Sequence, residues 1–100
     1  MISRDQPIVC TLEGVARPNR LEEWRSALRF VTARTAIPDG MRMTLAPDAP
    51  VAEIAGLAAA EQQCCAFFAF AITLDSRGVA LEVTAPADAR SVLEGLFGPP

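Results

Sequence analysis

Phe70, Ile72 and Leu74 fall on one side of a two-residue alternation, and Val79, Leu81, Val83 and Ala85 on one side of another. Only Asp75-Ser76-Arg77-Gly78 separates them. Period-two patterning on both sides of a short polar segment ending in Gly specifies a β-hairpin with one buried face, here read with a four-residue loop. A hairpin alone cannot bury that face, so the rest of the chain must supply a second layer.

The remaining segments divide into strand-like and helix-like pieces. Pro7 to Leu12 reads as a strand with Ile8, Cys10 and Leu12 on one side. Asn19, with Glu22 three residues on, fits a capping box that opens a helix from Arg20 to Ala33. Leu21, Trp24, Leu28 and Val31 form its apolar stripe. Ile37-Pro38-Asp39-Gly40 is a turn signal, and Met41 to Leu45 alternates as a half-buried strand with Arg42 and Thr44 on its polar side. A second helix is expected from Val51 to Phe67 or Phe68, and a last one from Ala87 to Phe97. The expected architecture is α+β in the order β-α-β-α-β-β-α: a four-stranded mixed sheet with helices packed largely on one face. One domain is expected over residues 1–100, with 1–6 as a tail.

Composition removes several chemistries. The chain has no His, no Lys and no Tyr, which excludes Ser-His-Asp and Cys-His mechanisms, Schiff-base chemistry, and zinc sites mixing Cys with His. A net charge of −3 argues against direct nucleic-acid binding. The first residues lack the apolar segment of a signal peptide, and no run is long enough for a membrane span. Three Cys, two of them adjacent, point to reduced thiols and a cytoplasmic protein rather than a secreted disulfide framework.

The second helix carries the unusual feature. At about 100° per residue, Ile54, Leu57, Ala58, Glu61, Cys64, Cys65 and Phe68 share one stripe roughly 120° wide, with Glu61 at its centre. A carboxyl group in an apolar stripe must be protonated, paired or hydrogen-bonded. Cys64 and Cys65 stand one turn further on, and Arg42 and Arg29 are candidate ion-pair partners. Thiolates favour Cu(I), Zn(II) and heavier thiophilic ions. Cys10 can approach this face from its strand, which would give a metal site of Cys64, Cys65 and Cys10 with Glu61 as a neighbouring base or weak ligand. A Cys64–Cys65 disulfide is disfavoured, because adjacent Cα atoms are closer than disulfide geometry allows. Cys10 bonded to either one would make a redox switch. The C-terminal helix dipole at this position disfavours thiolate.

The segment Glu61-Gln62-Gln63-Cys64-Cys65-Ala66-Phe67-Phe68-Ala69-Phe70 resembles a family of small, largely uncharacterised bacterial proteins with a Glu-x-x-Cys-Cys-x-Phe-x-x-Phe motif. Similar domains are attached to MerR-like metal-responsive regulators. The likeness extends to the Cys-Thr-Leu near the start, Asp39-Gly40 before a strand, and the Ala-Pro-Ala-Asp-Ala segment before the last helix. Ala66 stands where family members often carry Pro. The resemblance implies thiol–metal chemistry and a metal-responsive regulatory partner. The regulators' DNA-binding helices have no counterpart here.

Three readings follow. The first is a soft-metal or metalloid binding or sensing module that takes Hg, Cu(I), Zn or arsenite through Cys64, Cys65 and Cys10, tuned by Glu61. The second is a ligand-binding or homodimerisation module with structural cysteines. The third is a thiol-redox enzyme, which needs an exposed thiolate beside a positive group.

Overall fold

The computed structural model describes residues 17–100. Helix α1 (Arg17–Leu28) leads into strands β1 (Val31–Ile37) and β2 (Gly40–Leu45). Helix α2 (Val51–Cys64) connects them to strands β3 (Ala69–Asp75) and β4 (Gly78–Thr84). A 3₁₀ turn at Ala87–Ala89 then opens helix α3 (Arg90–Phe97), within the span read from sequence as one helix. The strands form one sheet in the order β1-β2-β4-β3, with every neighbouring pair antiparallel. The α+β class is as expected, but the sheet is not mixed. Two tight hairpins are joined by α2, and β4 inserts between β2 and β3. Strands β2 and β3 run the same way but never pair, the arrangement of a split β-α-β unit.

The first hairpin departs from the sequence reading. Val31 continues the helical apolar spacing, which extended the expected helix to Ala33. The helix instead ends at Leu28, and Val31–Ile37 pairs with β2. Four of those seven residues (Val31, Thr32, Thr35 and Ile37) are β-branched and fit a pleated surface better than a helix. Ile37 pairs directly with Gly40, so the loop is Pro38-Asp39, with Asp39 in the left-handed region at φ 64°. At the other end of α1, Asn19 falls inside the first turn rather than capping it. The expected strand Pro7–Leu12 lies outside the described residues.

The second hairpin is as expected except for its loop. Asp75 pairs with Gly78, leaving a two-residue Ser76-Arg77 connection with Gly78 at φ 99°. The Asp75 carboxylate accepts the Arg77 backbone N–H at 2.8 Å and the guanidinium at 2.6 Å. The hydrogen bonds from the Arg77 side chain, then that from its backbone, lower the Asp75 pKa from 3.8 to about 2. This contribution to the turn is complete above the ordinary carboxylate pKa and is lost as pH falls through about 2. An NMR titration of the Asp75 carboxyl carbon should give a midpoint near 2, returning towards 3.8 in Arg77→Ala. A midpoint near 3.8 in the wild type would contradict this geometry.

Register decides which side chains form the core. Met41 lies opposite Val83 and Val83 opposite Phe70, while Met43 lies opposite Leu81 and Leu81 opposite Ile72. Met41, Met43, Leu81 and Val83 form one buried cluster with Trp24, Ile54, Ala58, Phe68, Leu93 and Phe97 of the helices and the loop after α2, and the partly buried Phe70 and Ile72 pack against it. The rings interlock: Trp24 meets Phe97 edge-on at 4.8 Å and stacks on Phe70 at 6.1 Å. Phe67 is buried and packs on Phe68. The far face of the sheet holds Arg42, expected on a polar side but in fact buried. Its guanidinium donates to Glu82 at 2.8 Å and to Thr73 at 3.0 Å. Arg34 on β1 donates from Nε to the Phe97 carbonyl at 2.9 Å, satisfying the C-terminal end of α3.

Candidate metal centre

Helix α2 buries Ile54, Ala58, Glu61 and Cys64, all on the stripe read from sequence. It ends at Cys64 rather than continuing to Phe67 or Phe68. Cys65 has φ −121° and ψ 81°, while its backbone N–H still donates to the Glu61 carbonyl at 2.7 Å. A turn follows, closed by the Phe68 N–H on the Cys65 carbonyl at 3.0 Å. In a continuous helix the two cysteine side chains would diverge by about 100°. Cys65 has left helical geometry, and its sulfur lies over the last turn of α2. The two Sγ atoms lie 3.5 Å apart, in contact but not bonded to each other, and Cys65 Sγ lies 3.2 Å from Glu61 Oε2.

Glu61 is fully buried and divides its two oxygens between two tasks. Oε1 accepts the Trp24 indole N–H at 2.8 Å and the Arg20 guanidinium at 3.3 Å, tying α1 to α2. Oε2 faces the sulfur of Cys65. The ion pair expected from sequence exists, but with different partners. Arg42 is engaged on the far face of the sheet, and Arg29 lines a groove between α1 and α2. Arg20 and Trp24 take their place. They stand four residues apart on one face of α1. The one available signal was the indole itself, because a buried Trp N–H requires an acceptor.

One oxygen of Glu61 and the sulfurs of Cys64 and Cys65 all lie within 4.8 Å of one another, and all three residues are buried. This separation suits ligands that share one ion. Cys10, the fourth residue expected at the site, lies outside the described residues. A cavity of about 190 Å³ reaches the cluster, with Glu61 and Cys65 in its wall. Leu21 of α1, Phe68, and Val92 and Leu96 of α3 form its apolar sides. Leu21 and Val92 are themselves exposed, so the cavity meets the surface between α1 and α3. Among the described residues no helix is long and apolar enough to cross a membrane.

No protein-family model matches the chain, and neither a curated protein nor a solved structure matches it.

Proposed function

We propose that the domain binds a soft metal or metalloid ion through Cys64 and Cys65, with Glu61 as the adjoining proton acceptor or weak ligand. The observation that carries this reading is the gathering of two sulfurs and a carboxylate oxygen within 4.8 Å in a buried, apolar setting. Soft thiolates select thiophilic ions over Mg and Ca, and exclusion of water strengthens each bond. In the reduced protein, binding displaces thiol protons, and Glu61 Oε2, 3.2 Å from Cys65 Sγ, is the adjoining acceptor. The site reads as a sensing or sequestering device in a reducing compartment such as the bacterial cytoplasm. A link with metal-responsive regulators, suggested by the Glu-x-x-Cys-Cys motif, belongs to the same proposal.

Native mass spectrometry of the reduced protein tests it, with Zn(II), Cu(I), Hg(II) and arsenite titrated in turn. One equivalent of at least one of these is expected to bind to the wild type. The Cys64→Ser/Cys65→Ser variant is expected to lose affinity by about a hundredfold or more, since two soft ligands are replaced by neutral hydroxyls. No adduct in the wild type, or equal binding by the variant, removes the proposal.

A second reading, homodimerisation with structural cysteines, draws support from Leu74. This residue of β3 is 72% exposed. Sedimentation of the wild type and Leu74→Lys separates the two readings: a dimer abolished by the substitution, with no ion bound, favours the second.

A further inference from the structure

We infer that the domain pairs with a second copy of itself, strand against strand, along the outer edge of β3 and centred on Ile72. This gives the dimer suggested by Leu74 its surface. It is independent of the soft-ion reading, whose titration succeeds or fails without it. The argument begins with the backbone. Asp75 and Gly78 close a two-residue connection, so they form a hydrogen-bonded pair, and such pairs alternate with non-bonded ones along an antiparallel ladder. Ala69, Ala71, Thr73 and Asp75 therefore direct their N–H and C=O groups to β4. The other side of β4 shows the same phase. The Ala85 N–H donates to the Asp39 carbonyl at 2.9 Å, so odd-numbered residues of β4 bond towards β2 and even-numbered ones towards β3. The N–H and C=O groups of Phe70, Ile72 and Leu74 are thus aimed outward. Among the described residues no strand pairs with them.

Sheets blunt an edge of this kind with a bulge, a proline or a charge. Strand β1, at the opposite edge, has a break in register between Val31 and Ala33. Strand β3 has no such guard. Its seven residues stay in continuous register with β4. Its one charge, Asp75, stands at the end and is held by Arg77 at 2.6 Å. An unguarded edge is a template for another strand, and β3 itself matches it. In an antiparallel pairing about a two-fold axis at Ile72, Ile72 faces its own copy and Leu74 faces the partner's Phe70. All three outward residues then fall in hydrogen-bonded pairs, each exchanging two bonds. Their side chains share one face, so Leu74, 72% exposed, gains an aromatic neighbour. On the other face Ala71 meets the partner's Thr73, small against small. A two-fold interface must be self-complementary, and this register meets that condition.

Hydrogen exchange of the reduced protein, read by NMR from micromolar to millimolar concentration with sedimentation in parallel, tests the pairing. The Phe70, Ile72 and Leu74 amides are expected to slow by about tenfold or more as concentration rises, while Ala71 and Thr73, bonded to β4, are slow throughout. Leu74→Pro removes one outward donor and no bond to β4, and a proline is tolerated where the N–H faces outward on an edge. With two donors lost per dimer, its dissociation constant is expected to rise by about tenfold or more. Leu74→Lys keeps the donor but sets a charge against the partner's Phe70. It decides the matter if circular dichroism shows Leu74→Pro unfolded. A monomer at millimolar concentration overturns the inference, as does a dimer unweakened by both substitutions. So does protection of the three amides at every concentration, which would assign the edge to this chain's own residues 1–16. None of these outcomes touches the ion site, and absence of an ion adduct leaves the pairing standing.

Discussion

Glu61→Ala is expected to destabilise the domain by about 3 kcal/mol, the lower end of the range for breaking a buried ion pair. The lower end applies because the Arg20 side chain is 15% exposed and its Nε already lies 3.4 Å from Glu23. Trp24 has no such recourse. It is 1% exposed, and its indole N–H would lose its acceptor among the described residues, Glu61 Oε1. Glu61→Gln is the informative companion. An amide oxygen still accepts from Trp24, so stability should fall by only about 1 kcal/mol. In the reduced protein the amide cannot serve as the proposed proton acceptor, so ion binding should weaken and depend more steeply on pH. Chemical denaturation of both variants, with ion affinity measured on Glu61→Gln, separates the brace from the chemistry. Equal stability of wild type and Glu61→Ala would contradict the brace.

Gly40→Ala is expected to be equally damaging for a different reason. A Cβ at this position would stand 1.9 Å from the Val83 carbonyl oxygen and 2.8 Å from Thr84 Cα. Both are backbone atoms of the neighbouring central strand, so no rotamer change relieves the clash. Strands β2 and β4 would have to separate at the pair that joins the two hairpins. Overpacking of this kind costs about 3 kcal/mol or more, corresponding to a melting temperature roughly 10–20 °C lower for a domain of this size. Gly56→Ala is the control. A Cβ there meets nothing within 4 Å, and the residue lies inside α2, so the change should stabilise by up to about 1 kcal/mol. A calorimetric scan that ranks the two variants the other way would refute the packing at Gly40.

The parts of the fold legible in the sequence were those set by local pattern. The period-two alternation of Phe70 to Leu74 and of Val79 to Ala85 located β3 and β4. The helical stripe through Ile54, Ala58, Glu61 and Cys64 located the buried face of α2. Two competing patterns hid β1, because Val31 satisfies the helical spacing of α1 while the β-branched residues around it favour a strand. Strand order was not legible, since insertion of β4 between β2 and β3 depends on packing distant in sequence. Within the site, the gathering of Glu61, Cys64 and Cys65 was readable from (i, i+3) and (i, i+4) spacing. Its geometry was not, because the helical wheel assumes a helix that in fact stops at Cys64. The Trp24 and Arg20 bonds to Glu61 bridge 37 and 41 residues, beyond the reach of any local rule.

X-ray absorption at the arsenic edge, on reduced protein loaded with one equivalent of arsenite, tests the central claim most directly. Two or more sulfur neighbours at about 2.3 Å are expected for the wild type, falling to none or one in Cys64→Ser/Cys65→Ser. A wild-type spectrum with oxygen neighbours alone would mean that the paired sulfurs at the end of α2 do not form the site.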